Sequence, residues 1–442
     1  MRGIGGGFML HWLLTLDISG GPAPWTVWIV TAGLLIALLV RRYTPKRARR
    51  LLIAGLVGGN LGFLSCALAD VADAFGTPLP PGVSLWAAGA FAAVGLGIGS
   101  LWDSGIWRRV VAVLTILAAL LSAALGINAA FGLDRTAGDL FGISTLQKAG
   151  HLAAPLKNTG AAAGPLYRSW RPPTGMPRTG EVRLLAGADR IPSTAGFAPR
   201  DASIYLPPAA LVNDPPALPV VVHMMGLPGS PTPTQVKEAG DRFAAKHHGL
   251  APIVIVADQL GSERQNPGCA DSQAYGGVDT YFNADIPNWI RTHLRVMTNH
   301  ADWTISGYSN GGACSFLYGA QHPEVWGAFA DISGEEFPGQ EDPGPVLDTV
   351  FGGDVAAFDA NKPENVLLTH PSQYRGHVAV FTVGANDHVY SEPAHRGTAR
   401  SQAAGFAAHF YAVPDAGHVG PALSGGLDEE LRVLAPVWGL AP

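Results

Sequence analysis

Four long runs of this chain carry almost no charge, and they constrain its folding more than any other feature. They are Pro24–Val40, Leu51–Ala69, Val83–Leu101 and Val110–Phe131. Each has the length a helix needs to cross a hydrocarbon core, about 17–25 residues. No Lys, Arg, Asp or Glu falls inside them. A lone charge in lipid is expensive, so this absence is what a spanning helix requires. Buried helices of a soluble core are the alternative, but four in succession joined by short loops speak against it. Only 14% of all residues are charged, well below the roughly 25% of ordinary soluble domains. The first 131 residues are thus expected to form a transmembrane region of about four helices.

The loops orient these helices. The first, "RRYTPKRARR" (41–50), has six basic residues and no acid; the second, "DVADAFGTPLPPG" (70–82), has two Asp and no base; the third, "WDSGIWRR" (102–109), carries Arg108 and Arg109. Basic loops stay on the cytoplasmic side. That places loops one and three inside, and both the N-terminus and everything after Phe131 outside. The apolar stretch "FMLHWLLTL" (8–16) is too short to span. It reads as an interfacial stretch or an extension of the first helix. A cleaved signal peptide fits poorly, since no basic n-region or small-residue cleavage site frames it. A net charge of −5 gives no basic surplus, and no nucleic-acid motif is present.

Residues 132–180, with the Gly/Pro-rich stretch "KNTGAAAGPLYRSWRPPTGMPRTG" (157–180), show no period and read as an extended linker. From 181 to 442 the pattern changes again. Short Val/Ile/Ala-rich runs are expected as strands at 181–187, 201–207, 218–225, 252–258, 302–308, 328–334, 377–384 and 409–414. Helical stretches are expected at 233–248, 280–296, 310–321, 395–408 and 428–438. Continuous apolar strands are covered on both faces. Their alternation with helices argues for a mostly parallel sheet between helical layers.

The strand at 302–308 runs into Gly307-Tyr308-Ser309-Asn310-Gly311, a match to G-x-S-x-G. In a chain with 56 glycines the bare pattern is weak, and its place decides. It ends a strand and opens a helix, as a nucleophile turn must. A serine hydroxyl needs a base to take its proton and an acid to orient that base. The order serine, acid, histidine is that of α/β-hydrolases. Asp387 follows the strand at 377–384, and His418 follows the strand at 409–414. Both loops open from strand C-terminal ends, where such sheets place their sites. Glu392, Asp415, Glu335 and Glu336 are rivals for the acid, while His388 and His395 read as surface or pocket-lining residues. Two backbone N–H groups should face the developing oxyanion. Asn310, after the nucleophile, supplies one. Leu227 in "VVVHMMGLPGS" (220–230) supplies the second, with Gly226 letting the backbone approach. Met224 and Met225 line an acyl pocket or fill the core.

Together "GYSNGG" after "DWTIS", the strand and loop "LPVVVHMMGLPG", and "TYFNADIPNWIRTHLRV" (280–296) resemble the esterase D-like family of α/β-hydrolases. That family includes the mycolyltransferases of actinobacterial envelopes. The resemblance covers about 181–440. It implies Ser309 as nucleophile, Asp387 as acid, His418 as base, and Leu227 and Asn310 as oxyanion donors. Three features depart from it. Asn310 stands where Met is common, the acid is Asp where mycolyltransferases use Glu, and "GHVGPALSGG" lacks the aromatics those enzymes carry after the histidine.

Of the three cysteines, Cys66 lies in the second apolar run. Cys269 and Cys314 would face an oxidising space, where disulfides persist, and they are expected to pair. No metal-ligand spacing appears, and no cofactor is expected. The expectation is a membrane-anchored, extracytoplasmic serine esterase or acyltransferase. Its expected partners are the lipid bilayer and an ester or acyl-lipid/glycolipid substrate, without nucleic acid. A non-catalytic envelope-binding protein and a serine peptidase on the same fold are the alternatives.

Overall fold

Prolines and glycines mark the starts of the long apolar helices. Pro22, Pro45 and Pro81 each open one, and Gly105 precedes the fourth. Proline suits a first helical turn because the N–H it lacks would have no acceptor there. A computed structural model of the chain describes all residues except 1–3, 73–78, 103, 133, 142, 151, 153–163, 264 and 370–372. It divides into two compact units, Met1–Thr145 and Leu146–Pro442.

The first unit holds α1 (Ile4–Leu14), α2 (Pro22–Leu39), α3 (Pro45–Val71), α4 (Pro81–Ser100) and α5 (Ile106–Phe131). The last four are long and apolar enough to cross a membrane, and their apolar outer faces are largely exposed. The apolar stretch at 8–16 falls on α1 and the turn after it. α3 packs on α4 through glycine: a Cβ at Gly58 would lie 2.1 Å from the Phe91 carbonyl oxygen, and one at Gly62 would lie 2.5 Å from that of Ala87. Most of the few polar groups inside bond locally, although the buried Ser100 hydroxyl has no partner among the described residues. Thr31 bonds its own helix at Val27 O and reaches Ser122 Oγ at 2.8 Å on α5. The two basic loops meet at one end of the bundle. There Arg108 donates to Leu38 O and Val40 O, Arg50 to Trp102 O, and Arg41 to Ser104 Oγ.

The second unit is built on eight strands, β1 (Glu181–Leu185), β2 (Ala202–Leu206), β3 (Val220–Met224), β4 (Ile253–Ala257), β5 (Trp303–Tyr308), β6 (Ala328–Ile332), β7 (Val378–Gly384) and β8 (Ala407–Val413). They lie in the order β1-β2-β4-β3-β5-β6-β7-β8. β1 and β2 run antiparallel, and β2 is antiparallel to β4; every later pairing is parallel. Strands β2 to β7 are buried throughout, apart from Tyr308 at the end of β5, which is why they read as unbroken apolar runs. The helices are α6 (Thr234–Lys246), α7 (Ile286–His293), α8 (Asn310–Gln321), α9 (Pro343–Val350), α10 (Val355–Ala360), α11 (Pro363–Thr369), α12 (Ser391–Ala404) and α13 (Pro421–Leu434).

Three features differ from the sequence reading. The expected linker 132–180 is only partly a tether, because its ends find partners that a periodicity argument does not register. Ala137–Leu140 is a capped helical turn held to the end of α1 by Ala137 N–H donating to Leu16 O. Lys148 bridges Leu184, and Leu166–Ser169 is a helical turn whose Tyr167 N–H donates to Gly439 O. The middle, 153–163, lies outside the described residues. The expected helix 280–296 runs from Val278 to His293, and its stretch Tyr281–Asp285 is wound as a wider π-helix ahead of α7; Asp285 there accepts from Thr194 N–H and Oγ1. Helices α9 to α11, between β6 and β7, had no counterpart in the sequence reading.

Candidate active site

β5 delivers Ser309 to a corner. Its backbone sits at φ 55° and ψ −122°, a strained left-handed turn between β5 and α8. Such strain persists only where the surroundings over-determine it. Here the corner is too tight for side chains on either flank. A Cβ at Gly307 would fall 2.0 Å from Gly311 O, and one at Gly311 would fall 2.5 Å from Met224 O on β3. Ser309 N–H donates to Ile332 O, which ties the corner to the end of β6.

Two later loops bring an acid and a base to the serine. His418 Nε2 lies 3.1 Å from Ser309 Oγ, and His418 Nδ1 lies 2.8 Å from Asp387 Oδ2. The carboxylate can only accept, so it fixes the proton on Nδ1 and leaves Nε2 free to accept from the serine hydroxyl. Asp387 is itself held: its Oδ1 accepts from the N–H groups of Val389 and Tyr390, both at 3.2 Å. Asn386 N–H donates to Ala416 O and joins the acid and base loops. The rival acids stand elsewhere. Glu336 and Glu392 both pair with Arg396, and Asp415 is exposed in a left-handed turn. Glu335 is buried beside Asn310, where burial first, and then the Glu341 charge, push its carboxyl up to about 8. His388 is exposed, and the exposed His395 stacks on Phe410.

Two tyrosines grip His418 without having been singled out in the sequence. The Tyr390 ring stacks on the imidazole with centroids 4.3 Å apart, and its hydroxyl donates to Glu341. Tyr308, the variable residue inside the G-x-S-x-G turn, donates its hydroxyl to His418 O at 2.8 Å. Burial raises the pKa of both phenols, keeping them as donors. The signal for Tyr308 was in plain view, since the motif leaves that position open to any residue.

Of the residues expected to supply oxyanion amides, Asn310 follows Ser309 and Leu227 lies on the loop after β3. Asn310 is the first residue of α8, so its N–H has no acceptor within the helix. The loop after β3 approaches closely: a Cβ at Gly226 would lie 3.2 Å from Ser309 Cβ. Of the methionines, Met224 is fully buried in the core and Met225 only partly. Cys269 and Cys314 are disulfide-bonded, with Cα atoms 5.6 Å apart. The bridge ties the loop after β4 to the second turn of α8. Among the described residues, no group of three or more His, Cys, Asp or Glu gathers as metal ligands do.

The sheet order, the strand–serine–helix corner and the two late-strand loops define an α/β-hydrolase domain. Residues 196–380 match the family model described as "Putative esterase". The match lies within the second unit and covers less than half of the chain. The chain is 41% identical over 203 residues to an uncharacterized protein of Corynebacterium glutamicum, a match that takes in 44% of this chain and 47% of that protein. It thus spans about half the length of the curated relative it matches. Among solved structures it is similar to a ferulic acid esterase at TM-score 0.47 and 17% identity, over 58% of this chain and 98% of the other. It is also similar to an S-formylglutathione hydrolase from Agrobacterium tumefaciens at TM-score 0.48 and 17% identity, over 59% of this chain and 97% of the other.

Proposed function

We propose that this chain is a membrane-anchored serine esterase or acyltransferase whose catalytic domain faces away from the cytoplasm. The observation that carries this reading is the unbroken line from Ser309 Oγ through His418 to Asp387 at the strained corner. Ser309 Oγ attacks the ester carbonyl as His418 Nε2 takes the hydroxyl proton, and Asp387 stabilises the resulting imidazolium. Negative charge gathers on the carbonyl oxygen, facing the N–H groups of Leu227 and Asn310. The ester C–O bond then breaks, and His418 returns the proton to the departing alkoxide oxygen. An acyl group remains on Ser309. Water or an acceptor hydroxyl attacks that acyl group by the same route in reverse. Release of the free acid is hydrolysis, and delivery to an alcohol is transfer.

The four apolar helices support a bilayer anchor, and the disulfide supports an oxidising compartment for the second unit. The charge distribution over the loops supports cytoplasmic placement of 41–50 and 102–109. An ester-linked acyl-lipid or glycolipid is the substrate class that suits an enzyme held at a membrane. Two experiments test these statements. Fluorophosphonate labelling and p-nitrophenyl butyrate turnover by the full chain in detergent should both vanish in Ser309→Ala; turnover that survives would sink the serine mechanism. In intact cells, a membrane-impermeant maleimide should label Arg178→Cys but not Lys46→Cys. The opposite pattern would invert the topology.

A further inference from the structure

Gln259 sits just past β4, away from the Ser309–His418–Asp387 line, and only 2% of its surface is exposed. Its side-chain nitrogen donates to Met225 O at 2.6 Å and to Asn310 Oδ1 at 3.2 Å. A backbone carbonyl only accepts, so the group facing Met225 must be the NH₂ end of the amide. The same NH₂ has a second N–H for Asn310, whose side chain must then present its oxygen. That leaves the Asn310 NH₂ turned toward Asn266 Oδ1 at 3.4 Å. The hydrogen-bonding directions are mutually consistent. Both side chains are buried, so each bond left unmade would leave a polar group without water.

The two acceptors belong to the two segments that must be in register for catalysis. Met225 lies two residues before Leu227, on the loop that approaches Ser309. Asn310 carries the other N–H. Among the described residues no other side chain hydrogen-bonds both segments, and β3 and β5 pair only as far as Met224 with Gly307. Gln259 itself stands on a locked support. Asp258 accepts from Arg200 N–H, Nε and Nη2 and from the N–H groups of Leu260 and Gly261.

We infer that Gln259 is a positioning residue of the oxyanion site, holding the Leu227 and Asn310 amides at the separation at which both reach one oxygen. The inference rests on the serine mechanism proposed above. It requires no contact between Gln259 and substrate. Oxyanion donors act only when aimed at where charge develops, and small misplacements far from the reacting atoms slow catalysis severely.

Gln259→Met keeps the length of the side chain and removes both donors. In the full chain in detergent, with p-nitrophenyl butyrate, kcat should fall about 10- to 100-fold while KM stays within about twofold, as expected when an interaction strengthens only in the transition state. Phenylboronic acid, which forms a tetrahedral adduct on the serine, should bind more weakly by about the same factor as kcat/KM. A residue that merely supports the fold would not move the boronate affinity in step with kcat. Gln259→Leu, a smaller apolar replacement, serves if the methionine unsettles the core. Equal kcat in wild type and variant, or a lower kcat with unchanged boronate affinity, overturns the inference. Activity surviving in Ser309→Ala would instead overturn the mechanism beneath it.

Discussion

The two units of this protein treat buried polar groups in opposite ways. In the helical unit they are few and small, and Thr31, Thr115 and Ser122 bond within or next to their own helix. Arg50 and Arg108 of its loops bond backbone carbonyls at the bundle's end. In the hydrolase unit, buried polar and ionisable groups gather around the strand ends and the serine corner. His223, Asp258, Asp331, Glu335, Asp387 and Glu430 are all at least nine-tenths buried. Such groups are expensive in lipid, the setting proposed for the first unit. In the second unit hydrogen bonds offset much of that cost, as at Asp258 and Asp387. The contrast predicts that substitutions at the polar groups of the second unit change chemistry, whereas those at the packed glycines of the first change only stability.

The largest expected effect is at the serine. Ser309→Ala should lower ester turnover by about 10⁶-fold, on the scale seen when serine hydrolases lose their nucleophile. The melting temperature should hardly move, as only a hydroxyl with a single side-chain partner is lost. A tenfold loss would mean that another group can do the attacking. The disulfide comes next. Cys269 and Cys314 are 45 residues apart, and closing a loop of that size restricts the unfolded chain by about 2–4 kcal/mol. Cys269→Ala/Cys314→Ala should therefore melt several degrees lower, with kcat changed much less than by loss of the serine. An unchanged melting curve would show that the bridge restrains nothing.

The parts of the molecule that a sequence can announce differ in physical kind. The four long helices were legible because their length and their lack of charge are both written in consecutive residues. The six inner strands were legible for a related reason: strands buried on both faces are short apolar runs, whereas the edge strands Glu181–Leu185 and Ala407–Val413 are partly exposed. Ser309, Asp387 and His418 were legible by their order and by what precedes them. Helices α9 to α11 were not, because "PGPVLDTV" and "VAAFDA" are too short for a period to develop and include residues typical of turns. Gln259 was not legible either. Its role depends on meeting Met225 and Asn310 from 34 and 51 residues away, and nothing in its neighbours marks it. The tethered ends of the 132–180 segment were missed because isolated bridges leave no pattern.

A third, smaller effect concerns the polar chain beneath the sheet. His223 Nδ1 lies 3.0 Å from Ser306 Oγ, and Ser306 donates to Glu430 Oε2 at 2.7 Å. Burial pushes Glu430 up to about 7 and His223 down to about 3. The signs oppose each other. Glu430 binds its proton more tightly in the folded chain, so its contribution is complete below about 4.5, the unfolded carboxyl value, and is lost as pH rises to about 7. His223 resists protonation in the folded chain. Its contribution is complete above about 6.5, the unfolded value, and is lost as pH falls toward 3. In wild type the two largely cancel between those unfolded values. Glu430→Gln removes one side only, so its stability, relative to wild type, should rise by on the order of 2 kcal/mol from pH 4.5 to 7. Parallel stability–pH curves for the two proteins would refute the assignment.

The smallest expected effect lies in the other unit and tests the contrast from its opposite side. Gly58 has no room for even one carbon, since a Cβ there meets the Phe91 carbonyl oxygen at 2.1 Å. That neighbour is backbone and cannot swing away, so Gly58→Ala must push α3 and α4 apart. Lipid tails are as apolar as the helices, so close packing rather than the hydrophobic effect holds such helices together. Overpacking of this kind costs about 1–3 kcal/mol. In lipid the separated helices can still cross, which places the outcome toward the lower end. Gly58→Ala should thus resist detergent-induced unfolding less well, judged by loss of helical circular dichroism in rising dodecyl sulfate. Turnover of p-nitrophenyl butyrate should remain at the wild-type rate, because the alanine touches none of the groups that make or move a charge. A fall in kcat with no change in helix content would mean that the helical unit takes part in the chemistry, and the division of labour drawn from the buried polar groups would fail there.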